Sequence, residues 1–194
     1  MTDHNPAEHP VLDTIKQRYS AYQFSEKPVE ADKLKSLFEA ARWAASSFNE
    51  QPWRFIVATK ENPAEYEKAL GCLVEANQGW AGAAPVLVLT AVKQDFTYNG
   101  KPNRVAMHDL GQAAAHMALQ AAELGLVIHQ MAGIDQDKVV STYALPEGFT
   151  AETAIAIGYP SDAPLNEGET RARQRKPFDE FVFAEGWGKA SGLF

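Results

Sequence analysis

Apolar positions return along this chain at two spacings, one helical and one extended. Leu34, Leu37, Phe38 and Ala41 recur every three or four residues, so residues 28–45 (PVEADKLKSLFEAARWAA) predict a helix with one apolar face. Val11, Leu12, Ile15 and Tyr19 follow the same spacing over a shorter stretch that Pro10 suits as a first turn. Residues 63–73 read as a further helix. The longest helix is expected over residues 104–124 and stops at Gly125, a suitable C-terminal cap. Its Ala113, Ala114, Ala115, Ala118, Ala121 and Ala122 let another backbone come close, which marks it as the central packing helix. A last helix is expected over 137–145. Between these lie shorter extended runs. FIVAT (55–59) is β-branched and aromatic, PVLVLTAV (85–92) is almost continuously apolar like a buried central strand, and pieces near 126–130 and 153–157 complete the set.

One junction breaks the pattern. AASSFNEQPWRF (44–55) sets Ser46, Ser47, Asn49 and Gln51 between a helix and a strand, and such short polar side chains form local backbone bonds that compete with both. The end of the chain also differs. Residues 159–169 look like loop, RARQRKPFDEFVF then gathers Arg171, Arg173, Arg175 and Lys176, and apolar residues with Trp187 follow. A solvated tail has no use for these, so it should lie against something such as another subunit. No repeat or linker divides the 194 residues, and a single domain is expected, with 1–9 a flexible N-terminus.

Composition narrows the function. A formal net charge of −7 argues against general nucleic-acid binding, which needs a basic face. The single Cys72 can form no internal disulfide, and no Cys/His cluster has zinc spacing. The start, MTDHNPAEHP, is polar, and the apolar run at 83–92 is far short of a membrane span, so no membrane association and a cytoplasmic location are expected. Dinucleotide, P-loop and nucleophile-elbow motifs are absent, and His108, Asp109 and His116 lack metal-site spacing. Asp109 reads instead as a first-turn acid that complements a helix dipole. With no paired carboxylates either, the chemistry is expected to come from a cofactor.

Three distant segments could hold one. Arg18 and Ser20 offer a cation and a hydroxyl at a helix end, suited to phosphate. Arg173 and Arg175, two apart, share one side of an extended segment, and a phosphate between them and Arg18 would tie the two ends of the chain together. Ala132 and Gly133 leave backbone N–H groups open to a flat ligand.

These residues carry a resemblance. Arg18-x-Ser20 with Phe24, then AASSFNEQPW (44–53), ANQGWAGAAPVLV, the DLG-x-A helix with ELGL, and the closing RKP-x-x-E-x-V stand in the order and spacing of the FMN-dependent nitroreductase family, over about residues 13–187. The resemblance implies an α+β fold with a mixed, mostly antiparallel sheet flanked by helices. It also implies an intertwined homodimer whose arms, about residues 160–194, wrap the partner, with two FMN sites at the subunit interface. Arg18, Tyr19 and Ser20 would then meet the phosphate and ribityl end, with Arg173 and Arg175 closing over the phosphate. Asn77 would meet the pyrimidine edge, and Ala132 and Gly133 the reactive N5. Ala45, Ser46, Ser47 and Asn49 would serve the partner's FMN, while Gln51, Pro52 and Trp53 fix the turn into the strand.

Tyr22, among the cofactor-binding candidates, stands where many relatives carry Arg or Lys, and Trp80 near where some carry Lys. Arg104 or a residue of a partner subunit could replace that cation. The implied activity is ping-pong hydride transfer from NADPH or NADH through N5 to nitroaromatic, quinone or related small acceptors, with no catalytic side chain and no metal. Phe48, Trp80, Phe96 and Tyr98 could line the substrate cleft or simply pack in the core. An FMN carrier or sensor without efficient turnover is the alternative.

Overall fold

The computed structural model describes residues 5–164 and 173–192. Four strands, β1 (Trp53–Thr59), β2 (Val86–Lys93), β3 (Val127–Met131) and β4 (Phe149–Gly158), form one sheet in the order β1-β2-β4-β3. Every pairing between them is antiparallel, so among the described residues the sheet is not the mixed one expected. β2 and β4 lie at the centre. Along β2, Val86, Val88 and Val92 enter one apolar cluster while Leu87 and Leu89 enter the other, and along β4 Ile155 and Ile157 are set against Ala154 and Ala156. The continuous apolar run follows from this burial on both faces.

One face is covered by α2 (Ala31–Arg42) packed on α5 (Ala106–Glu123), with Leu37, Ala41, Leu110, Ala113 and Met117 between them and the sheet. α5 ends as predicted. Gly125 takes φ +70°, Leu126 N donates to Ala121 O at 2.8 Å and Gly125 N to Ala122 O at 3.1 Å, the bond pattern of a glycine-closed helix end. α3 (Pro63–Gly71) and α6 (Gln136–Tyr143) cover the other face through Tyr66, Ala69 and Val139.

Three differences from the sequence expectation have physical causes. α4 (Glu75–Ala81) was read only as part of a motif, because seven residues with Asn77 and Gly79 give little periodicity. β4 begins at Phe149, earlier than expected, since its first half is only partly buried and reads as polar. α1 (Asp13–Gln17) has only five residues, so Val11, Leu12 and Tyr19 of the expected apolar face lie outside it, and Leu12 just before it is 66% exposed. Among the described residues no helix is long and apolar enough to cross a membrane.

Candidate functional site

α1 ends where Arg18 turns to φ −63°, ψ 125°, and the following segment alternates in burial: Arg18 and Ser20 are half-buried, Tyr19 and Ala21 buried. Alternation in an extended segment aims Arg18 and Ser20 to one side. Asn5 pins this end of the helix by donating its amide to Arg18 O at 2.7 Å. Arg173 arrives from the far end of the chain and lies over the Tyr19 ring, 5.8 Å from its centroid. The Arg18 guanidinium is pushed below its ordinary pKa by burial and then by Arg173 and Arg175. Arg173 is lowered in the same way, by burial and by Arg175, against the opposing pull of Tyr19. Among the described residues none of the three arginines forms an ion pair with a carboxylate. Arg171 lies outside the described residues. The structure therefore crowds three cations that repel each other, which is the donor set an anion with several oxygens needs.

Beside them stands a wall of rings. Tyr22, 39% exposed, meets Trp80 at 5.0 Å and His129 at 4.6 Å between centroids, and Trp80 meets His129 at 4.3 Å. His129 Nδ1 lies 2.8 Å from Ala21 O, and since a carbonyl only accepts, Nδ1 carries the proton. Trp80 Nε1 donates to Asn77 Oδ1 at 3.2 Å, and Asn77 Nδ2 donates to Gly133 O at 3.1 Å. One Asn77 amide hydrogen is then left for another acceptor. A Cβ at position 133 would sit 2.3 Å from Asn77 Nδ2 and 2.8 Å from Val74 Cγ2 and would have to push them aside, so glycine there lets α4 and the segment after β3 close together. The wall thus joins Tyr22, Asn77 and Gly133 to a histidine that sequence reading passed over, with Ala132 exposed beside Gly133. A lone His in a strand gave no signal.

The loop 45–51 is built differently. After α2, Ser46 is extended at φ −147° and ψ 155°, and Phe48, Asn49 and Gln51 then take positive φ of 52°, 54° and 51°. None of these is glycine, and left-handed backbone costs roughly 1–2 kcal/mol per residue, less for asparagine. Several bonds hold the loop. Gln51 N donates to Ser46 Oγ at 3.0 Å, Ser47 N to Asp109 Oδ2 at 3.0 Å, and Thr97 N to Glu50 Oε2 at 2.8 Å. The Glu50 side chain is 5% exposed and also pairs with Lys93 at 3.4 Å. Burial raises its pKa, but the Thr97 and Lys93 contacts prevail and leave it below the usual carboxylate range. Arg54 donates to Gln51 O at 3.0 Å, Lys93 N to Pro52 O at 2.9 Å, and Trp53 is buried, so 51–53 do fix the turn into β1. Ala45 and Asn49 are exposed.

Around this loop the rings of Phe48, Phe96 and Tyr98 cluster at 5.2 to 5.7 Å. Phe48 is 76% and Tyr98 59% exposed, so these two are surface rings rather than core, whereas Trp80 packs partly against the core. Arg104 is exposed just before α5. Asp109 does more than complement a dipole, because at 2% exposure it is the acceptor for Ser47. It shares the buried face of α5 with Ala106 and Ala113. Among the described residues no group of three His, Cys, Asp or Glu could hold a metal.

The descriptive model of the Nitroreductase family matches residues 15–159. The chain belongs to the nitroreductase family. That match spans both the Arg18–Tyr22 segment and the loop. A Streptomyces coelicolor protein with the provisional name NADH dehydrogenase/NAD(P)H nitroreductase is 28% identical over 180 residues, 82% of this chain and 88% of its own. A solved structure described as an oxidoreductase containing FMN superposes with a TM-score of 0.87 at 30% identity, covering 96% of this chain and 98% of that one. A nitroreductase family protein of Clostridium difficile 630 gives 0.69 at 26% identity, over 89% and 96%. Within the nitroreductase fold, then, the antiparallel sheet and its two helical covers carry the arginine cluster and the ring wall on one group of segments and the strained loop on another.

Proposed function

We propose that this chain is an FMN-dependent NAD(P)H oxidoreductase that works as a homodimer. The observation that carries the reading is the meeting of Arg18 with Arg173 and Arg175, three cations from opposite ends of the chain without a carboxylate partner among the described residues. Their chemistry fits a phosphate monoester. Arg18, Ser20, Arg173 and Arg175 hold that phosphate, Tyr19 supports Arg173 from below, and Tyr22 bounds the flat part of the cofactor with a ring. Asn77 offers its remaining amide hydrogen to the pyrimidine edge. Ala132 and Gly133 keep side chains out of the way of the reactive nitrogen. When bound, FMN supplies the hydride chemistry, in which a nicotinamide is oxidised and a nitroaromatic, quinone or related small acceptor is then reduced in ping-pong order.

The dimer is supported by what one copy leaves bare. Leu12, Trp43, Met107, Phe181 and Trp187 are 56% to 93% exposed, large apolar side chains that a partner surface would take out of water. A second copy covers them, receives the 173–192 arm, and brings Ala45, Ser46, Ser47 and Asn49 to the FMN held by the first. The test is FMN titration of the purified protein followed by anaerobic mixing with NADH and NADPH. Bound flavin that bleaches supports the oxidoreductase, bound flavin that stays yellow supports the carrier or sensor, and protein that takes up no FMN refutes both.

A further inference from the structure

We infer that Asp109 is a positioning residue that sets the front of the loop 45–49 through the backbone of Ser47; the inference rests on the reading that this loop meets the FMN of a second copy. Asp109 lies in the first turn of an 18-residue helix whose other buried residues are alanine, leucine and methionine. At 2% exposure a carboxylate there needs a donor, and it receives the Ser47 N–H at 3.0 Å, from 62 positions earlier in the chain. The packing of α2 on α5 brings the two together, and the N-terminal end of α5 favours the negative charge.

The loop needs such a hold. Phe48, Asn49 and Gln51 sit in the left-handed region without being glycine, a backbone that persists only where its surroundings over-determine it. The bond from Gln51 N to Ser46 Oγ is internal and moves with the loop. Glu50 fastens the far end to Thr97. Asp109 fastens the near end, at Ser47 itself, to a helix of the core. Ser46 and Ser47 can then present their hydroxyls in one orientation. Asp109 touches neither cofactor nor substrate in this role. It fixes the backbone that does.

The test uses four variants of the full chain, Asp109→Ala, Asp109→Asn, Ser47→Ala and Ser47→Pro. The readouts are the FMN dissociation constant and the hydrogen exchange of the Ser47 amide in FMN-free protein. Ser46 already has the extended conformation that a residue before proline requires, so Ser47→Pro deletes the donor without bending the chain there, and Ser47→Ala controls for the hydroxyl. Asp109→Ala is expected to speed exchange at Ser47 and to weaken FMN binding roughly tenfold or more, the loss of a charge-assisted bond. Asp109→Asn keeps an acceptor oxygen and should recover most of both. Ser47→Pro should bind FMN roughly tenfold more weakly than Ser47→Ala. Should Asp109→Ala fail to fold, the Ser47 pair decides. Wild-type protein that binds FMN while Ser47→Pro matches Ser47→Ala overturns the inference, as does an unchanged Ser47 exchange rate in Asp109→Ala or a loss in Asp109→Asn as great as in Asp109→Ala. Wild-type protein that takes up no FMN overturns the functional reading, and this role with it.

Discussion

The stretch from Arg18 to Tyr22 and the loop from Ala45 to Gln51 both bring polar groups to the surface of one fold, yet they are stressed in different ways. At the first, the backbone is relaxed and extended while the side chains are in conflict, since Arg18 and Arg173 are lowered by burial and by neighbouring arginines. At the second, Asp109 holds the Ser47 backbone N–H and Thr97 and Lys93 satisfy the Glu50 side chain, while the backbone is strained at three residues. Electrostatic conflict is relieved by an anion, so under the proposed function the first region is a receiver. Backbone strain held by anchors produces a fixed shape, so the second is a presenter. One chain supplies both, and a symmetric pair can match each receiver with the other's presenter.

The comparison is broken most strongly at the receiver. Arg18→Ala with Arg175→Ala should weaken FMN binding by roughly a hundredfold or more, two charge-assisted contacts, while sedimentation shows the dimer retained. Unchanged FMN affinity would mean that the phosphate lies elsewhere. Next comes the wall. Gly133→Ala forces Asn77 aside and should destabilise the protein by about 1–3 kcal/mol in denaturant unfolding while also weakening FMN.

A smaller effect sharpens the presenter. Because Glu50 titrates below the usual carboxylate range in the folded protein, its contribution is present above that range and is lost as pH falls through the lowered value. Exchange at the Thr97 amide, corrected for intrinsic rates, should therefore rise in acid, and Glu50→Gln should flatten the rise. The smallest effect returns to the receiver. Arg175→Ala removes a repulsion and should raise the unfolding midpoint of the FMN-free protein by about 1 °C, with a tighter-binding site traded for a slightly firmer fold.

How far the sequence foretold this differs between the same two regions. The sheet and its helices were legible because β2 is buried on both faces and α2 and α5 each keep one apolar face, so periodicity speaks directly. That Arg18 and Arg173 come together was legible because a cation with a hydroxyl at a helix end and two arginines two residues apart suit the same kind of ligand. The short α4 and the partly exposed start of β4 were not legible because neither carries a clear apolar period, and the strain in the loop was not because it depends on contacts with distant segments. Phe48 and Gln51 in left-handed conformations contradict their own local preference, and Asp109 and Glu50, 59 residues apart in sequence, are what hold them there. His129 was missed for the same reason, as its role comes from the rings of Tyr22 and Trp80.

The central claim is that receiver and presenter belong to different copies, and subunit complementation tests it most directly. Protein carrying Arg18→Ala and Arg175→Ala is mixed, after reversible dissociation, with protein carrying Ser46→Ala and Asn49→Ala, each unable to hold FMN alone. In a mixed dimer one site inherits both defects and the other neither, so about one quarter of all sites in a statistical mixture should regain wild-type FMN affinity. Full absence of recovered FMN binding, with mixed dimers demonstrably formed, would place the arginines and the loop of each site on the same chain and contradict the account.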